Sequence, residues 1–255
     1  MIEGHTSRAF DGALGALHMR VIEMGGLVLD QVHEAAQAYT EWDSQSAERV
    51  LERERLVNAY DRSIDAEQLT LIARRQPVAS DLRAIIAMSK AVGELERVGD
   101  EAKKIARTVI GRTNRPGPAT TRDARHLARL ASSLLRLSLD AFDRIEQALA
   151  AEVIARDREL DEEYAAGLRR LLTRAMEDPR HFDTTLEAAF VLKSLERIGD
   201  HARNLGRHVQ SIGSDASTLE HESAGVVSHG SDQTAGRYGD EPRQYDVPGY
   251  SPPHR

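Results

Sequence analysis

One six-residue segment occurs twice in this chain, one hundred positions apart, and it limits the possible folds more than any other feature. Leu95-Glu96-Arg97-Val98-Gly99-Asp100 is matched by Leu195-Glu196-Arg197-Ile198-Gly199-Asp200, the two differing only by Val for Ile. Both copies lie in long stretches whose apolar residues recur at helical spacing. On a helix, residues four apart share a face, so Glu96 stands beside Asp100 and Glu196 beside Asp200. Like charges at that spacing cost a few tenths of a kcal/mol. A glycine inside a helix costs about 1 kcal/mol relative to alanine, and Gly99 and Gly199 repeat that cost. The simplest use for both is a cation shared by the carboxylates, with a second helix packed closely over the glycine.

Composition favours helices. The 255 residues are 40% apolar, 4% aromatic and 29% charged, poor in the aromatic residues that strands favour. Cysteine is absent, which excludes disulfides and thiolate metal sites and points to a reducing compartment. No signal peptide and no apolar run of transmembrane length are read, so a cytoplasmic protein is expected. The net charge is −7, and no basic face stands out, which argues against nucleic acid as a partner.

Proline placement divides the chain. Pro77, Pro116, Pro118 and Pro179 fall between periodic segments, where they stop helices. The first helix is expected over Phe10 to Thr40, with Leu14, Leu17, Val21, Met24, Val28, Val32 and Ala35 as its buried stripe. Trp42-Asp43-Ser44 offers a turn and an N-cap, and a second helix follows to about Gln76 along Val50, Val57, Ile64 and Leu71. A third starts at Ser80-Asp81 and reaches about Arg112. Asn114 to Pro118 separates the halves. The second half repeats the plan over Leu127–Glu146, Ala150–Met176 and His181–Ile212. Leu139-Asp140 followed by Glu146-Gln147-Ala148 echoes Leu29-Asp30 followed by Ala36-Gln37-Ala38. No Gly or Pro marks the break near Ala148, which rests on the repeat. From Gly213 onward the chain holds six Gly, six Ser and four Pro without apolar periodicity, the composition of a disordered tail. The expected architecture is all-α: two tandem three-helix bundles over residues 1–113 and 120–212, a linker at 114–119, and the tail at 213–255.

With Leu95 at the centre of a stripe formed with Met88, Val98, Ala102, Ile105 and Val109, Glu96 and Asp100 fall roughly 100–140° away, at the border of the core. There they can meet acids of the second helix. Glu54, Asn58, Asp61 and Asp65 form a line on that helix, and Asp157 and Asp161 hold the places of Glu54 and Asn58. Converging carboxylates on facing helices are how bundle interiors hold hard or borderline divalent cations. The metal candidates are therefore Glu96, Asp100, Glu196, Asp200, Asp61, Asp65, Asp157 and Asp161, with Glu54 and His201 as secondary members. His201 is read as a surface histidine. Gly99, Gly199, Arg97 and Arg197 are the candidate interface residues. The alternative is a solvated face on which Arg97 pairs with Glu94 or Glu101 and no ion binds. Glu-x-x-His, a Gly-rich phosphate loop, Gly-x-Ser-x-Gly and His-Glu-x-x-His are all missing, so no catalytic activity is expected.

At these residues the chain resembles the PhoU family. The likeness is carried by Met24-Gly25-Gly26, by Ala73 to Arg83 (ARRQPVASDLR), by Glu94 to Asp100 and by Ser194 to Asp200, and it runs from about Leu14 to Val209. The resemblance implies two homologous three-helix bundles in a cytoplasmic protein with no catalytic activity. It also implies a regulator that links the ATPase subunit of a phosphate-specific ABC transporter to a membrane sensor histidine kinase. Such a regulator keeps phosphate-starvation genes off when phosphate is plentiful and restrains uptake. Iron- or zinc-type ions at the Glu/Asp-x-x-x-Asp motifs are implied for some members, and Asp61, Asp65, Asp157 and Asp161 match positions that are commonly acidic. Glu54 departs from the usual Asp. A homodimer is expected, reaching the membrane only through its partners. The competing expectation is a metal store or metal-dependent enzyme.

Overall fold

A computed structural model of the chain describes residues 8–75, 77, 79–111, 115–178, 180 and 182–225, with backbone only at 8–9, 75, 79–80 and 213–225. These residues form six helices and no strand: α1 (Arg8–Glu41), α2 (Ser44–Arg75), α3 (Ala79–Arg107), α4 (Pro118–Arg144), α5 (Gln147–Glu177) and α6 (Phe182–Gly225). Within the first half α1, α2 and α3 each pack on the other two. In the second, α4 packs on α5, and α1 lies against α4 across the two bundles. The expected stripes are the core: Val21, Met24, Val28, Val32, Val50, Val57, Ile64, Leu95, Val98, Ile105 and their counterparts Leu192, Leu195, Ile198 and Val209 are all buried. The amphipathic period thus assigns each helix its inner face before any tertiary contact is known.

Several boundaries differ from the expected ones. The second half's first helix begins at Pro118, nine residues before Leu127, with Gly117 at the N-cap and proline in the first turn, where its missing N–H costs nothing. The expected linker therefore ends early. α3 stops at Arg107 and passes through a turn to Gly111, whose φ of 72° suits a residue without Cβ. α6 continues to Gly225, past the point where the tail was expected to begin, and residues 226–255 of that tail lie outside the described residues. α1 is long and apolar enough to cross a membrane by length and composition, contrary to expectation. Its apolar stripe, however, is committed to α2, α3 and α4.

The turn that the sequence left unmarked has a definite geometry. Ile145 takes a left-handed φ of 52°, its N–H meets the Phe142 carbonyl at 3.3 Å, and the Glu146 N–H closes on the Ala141 carbonyl at 3.0 Å. Trp42 does the same at φ 60°, with the Asp43 N–H on the Ala38 carbonyl at 2.9 Å. These are helix C-caps of the left-handed kind, normally given to glycine. They also correct the expected register of α1 against α4: Gln147 opens α5, whereas Gln37 lies inside α1. Asp43 then caps α2, accepting from the Gln45 N–H at 2.9 Å and the Ser46 hydroxyl at 2.6 Å.

The motif glycines mark close approaches. A Cβ on Gly99 would stand 3.0 Å from Glu54 Oε2 and 3.4 Å from Val57 Cγ1, and one on Gly199 would stand 2.1 Å from Leu160 Cδ2. Gly25 of the Met24-Gly25-Gly26 stretch plays this part between bundles, since its Cβ would lie 2.4 Å from Leu139 Cδ2.

Two stability outcomes are expected. Gly199→Leu lowers stability by roughly 1–3 kcal/mol, because a branched side chain must enter the α5–α6 contact. Ile145→Gly raises it by about 0.5–1 kcal/mol, since a β-branched residue in the left-handed region is released at a half-exposed site. Denaturant titration of the two variants checks both, and a neutral Gly199→Leu would refute the close contact.

Candidate acidic seams and the junction between the bundles

Each half brings its motif carboxylates against helix-two acids at the level of the close glycine. In the first half Glu54 is buried, and its carboxylate accepts from Gln31 Nε2 at 2.9 Å, Asn58 Nδ2 at 3.0 Å and Lys103 Nζ at 3.1 Å. Lys103 also pairs with Asp100. Burial, reinforced by the charges of Asp100, Asp61 and Glu54, pushes the Glu96 carboxyl up, with Lys103 opposing. Burial acts against ionised Asp100 as well, but the hydrogen bond and charge of Lys103 outweigh it and hold Asp100 below its ordinary value. Burial and neighbouring Asp65 raise Asp61. Asp65 itself is exposed, and its charge acts on Asp61.

The second half repeats this plan with different residues. Buried Asp157 takes the place of Glu54, and Arg203 binds both Asp157 and Asp200, the latter at 2.6 Å. Burial, with Asp161 and Asp200 nearby, lifts Asp157 despite Arg203. Glu196 is raised by burial and by Asp200 and Asp161, against the pull of Lys193 at 2.5 Å. Asp157 Oδ1 is buried, with no hydrogen-bond partner among the described residues. Glu96 thus feels the charges of Asp61 and Glu54 on helix two, and Glu196 that of Asp161. What sequence reasoning missed is the internal cation in each, Lys103 and Arg203. Both stand three residues after the motif aspartate, so the duplication itself carried the signal.

An all-oxygen donor set with an unpartnered buried carboxylate oxygen suits a hard divalent cation chemically. Among the described residues, however, no group of three or more His, Asp or Glu side chains is arranged to hold a metal ion. Glu54 and Asp100 pair with Lys103 instead, and Asp157 and Asp200 with Arg203. Any ion would be held by Glu96 and Asp100 with Glu54 and Asp61, and by Glu196 and Asp200 with Asp157 and Asp161, once those two cations had moved aside.

His201 is not a surface residue. It is 8% exposed, and its Nδ1 lies 2.7 Å from Oε2 of buried Glu94 on α3, across the junction between the bundles. Asn204 Nδ2 reaches the same oxygen at 3.3 Å, and His208 Nε2 stands 3.8 Å from Glu94 Oε1. Arg197 crosses in the same way to buried Glu101 at 3.0 Å, whereas Arg97 stays on its own helix with Glu94 at 3.2 Å. On the other side of the junction, His18 stacks on Phe142 with ring centroids 5.5 Å apart. The expected surface histidine is thus buried, because α3 of the other bundle covers it. Periodicity along α6 alone does not reveal that cover.

Burial works against ionised Glu94, but hydrogen bonds from His201 and Asn204, with nearby His208 and the His201 charge, outweigh it and hold the carboxyl well below its usual range. A group whose folded value is depressed lends stability above its unfolded value, and that stability is lost as pH falls through the folded one. Glu94→Gln is therefore expected to lower stability by roughly 1.5–3 kcal/mol at pH 7, with the gap to wild type shrinking below about pH 4.3. Melting both proteins between pH 7 and pH 3 checks this.

The PhoU domain family model matches the chain twice, at residues 21–109 and 124–209. A phosphate-specific transport system accessory protein PhoU homologue from Pseudomonas putida is 44% identical over 206 residues, covering 80% of each chain. The Escherichia coli K12 accessory protein PhoU is 37% identical over 201 residues, which cover 79% of this chain and 83% of that one. The crystal structure of PhoU from Pseudomonas aeruginosa matches with a TM-score of 0.77 at 41% identity, over 81% of this chain and 99% of that chain. With both bundles matched and the motif glycines at their close contacts, the chain belongs to the PhoU family.

Proposed function

We propose that this protein is a non-enzymatic adaptor of phosphate transport, acting in the cytoplasm on the ATPase subunit of a phosphate-specific transporter and on a membrane sensor histidine kinase. In phosphate-rich conditions it restrains uptake and keeps phosphate-starvation genes off. The observation that carries this reading is the match of both bundles to proteins named as phosphate transport accessory proteins, 44% and 37% identical over about four-fifths of the chain. The fold is consistent with adaptor work. Two bundles joined through α1–α4 and through buried α3–α6 ion pairs present long helical faces, and Leu172, Met176, Phe182, Leu186 and Phe190 are exposed on α5 and α6. Such apolar exposure marks interaction surfaces, and a homodimer is part of this proposal.

A divalent or iron-type ion at the acidic seams is the second part. The supporting observation is the carboxylates gathered around Glu96 and Glu196, both raised by burial and then by acidic neighbours, together with the orphaned Asp157 oxygen.

Deleting the gene should switch on a phosphate-starvation reporter in phosphate-rich medium, and the wild-type gene should restore repression; an unchanged reporter in a strain without a second copy of the family rejects the adaptor reading. Asp100→Asn with Asp200→Asn, assayed in the same strain and by elemental analysis of the purified protein, separates the ion from the adaptor. Loss of metal with repression intact means the ion is dispensable. Equal metal content in wild type and variant places any ion elsewhere.

A further inference from the structure

Away from the acidic seams, a groove of about 440 Å³ runs between α1 and α4. Arg125, Arg129, Ser132 and Arg136 line it from α4, at steps of four, three and four that put them on one helical face. His33 and Thr40 face them from α1. Among the described residues none of the three arginines has an ion-pair partner, although the chain has 41 acids to 34 basic residues. Arginines elsewhere do pair: Arg49 and Arg53 with Glu34, and Arg170 with Asp123. Three unpaired guanidiniums on one face repel one another and attract an anion. Glu41 is the acid in the lining, and Gln37 Nε2 holds it at 3.2 Å.

A second observation is independent of charge. Ser132 is 5% exposed, and among the described residues its hydroxyl has no hydrogen-bond partner. A helical serine ordinarily bonds back to a carbonyl of the preceding turn, as buried Ser138 does to Leu135 at 2.8 Å. Ser132 lines the groove and makes no such bond among the described residues.

We propose that the α1–α4 groove binds a phosphoryl anion, with Arg125, Arg129 and Arg136 gripping its oxygens and Ser132 donating to one of them. The guanidinium fork matches phosphoryl oxygens bidentately, which an ammonium does not do. The volume lies in the range of small-molecule sites, and Ala36 and Ala128 in the walls leave apolar space beside the charge, as a nucleotide would need. Inorganic phosphate offers the same oxygens. The inference goes beyond the adaptor reading and does not need it, because binding is measured on purified protein.

The test is isothermal titration of the full chain with inorganic phosphate and, separately, with ATP. Excess EDTA keeps the acidic seams from taking up nucleotide through a metal, and ionic strength is matched throughout. One or both ligands should bind saturably. Affinity should fall at least tenfold in Arg129→Ala and severalfold in Ser132→Ala, with the ligand-free melting temperatures unchanged. ATP binding without phosphate binding identifies an organophosphate site, and the reverse identifies the free ion; either supports the proposal. No saturable heat from either ligand at millimolar concentration overturns it, as does binding that survives Arg125→Ala combined with Arg129→Ala and Arg136→Ala. Equal displacement by a polyglutamate peptide also overturns it, in favour of a carboxylate dock. If Arg129→Ala fails to fold, Arg129→Lys keeps the charge and removes the fork, and its affinity gives the same reading.

Discussion

The close glycine contact between the motif helix and its neighbour is the constraint on which the rest of the structure depends. With no side chain at Gly99 or Gly199, α3 comes against α2 and α6 against α5, closely enough to bury the helix-two acids Glu54 and Asp157. A buried carboxylate must be matched or it costs several kcal/mol. Each half matches it from the motif helix, through Lys103 in one case and Arg203 in the other. Packing and charge are therefore one device. The glycine brings the acid inside, and the residue four positions further along the motif helix neutralises it.

The same helices build the junction between the bundles. The motif carboxylates point toward helix two, while Glu94, Glu101, Arg197 and His201 occupy the other side of α3 and α6 and pair across the halves. Buried ion pairs add little net stability over apolar contacts, but breaking one partner is expensive. Here they join α3 of one bundle to α6 of the other at fixed positions, Glu101 with Arg197 and Glu94 with His201. α1 and α4 complete the junction through the Gly25–Leu139 approach and the His18–Phe142 stack. At the rim of that face, α4 turns its unpaired arginines into the groove beside α1.

The two halves reach this arrangement with unequal means, and that bounds what a repeat can predict. Equivalent positions hold Glu54 and Asp157, Lys103 and Arg203, Glu101 and His201, Trp42 and Ile145. Chemistry is kept in the first two pairs and backbone geometry in the last. The Glu101–His201 pair keeps only a place in the junction. Matching residue letters in α4 to those in α1 misread the register for this reason: the conserved quantity was the left-handed cap that ends each helix, and any letters able to tolerate it would serve.

The sequence by itself determined six helices, their inner faces, and the tight seam at Gly99 and Gly199. All of these follow from local periodicity, and a doubled motif reports a cost carried twice. Tertiary structure decided the cap at Ile145, the burial of His201 against Glu94, the hold of Lys103 and Arg203 on the carboxylates, and the groove that Arg125, Arg129 and Arg136 line. Those features depend on which helix covers a given face and from what distance. Periodicity along one helix carries no information about its neighbour, and a backbone angle set by the meeting of two packed helices leaves no required residue behind.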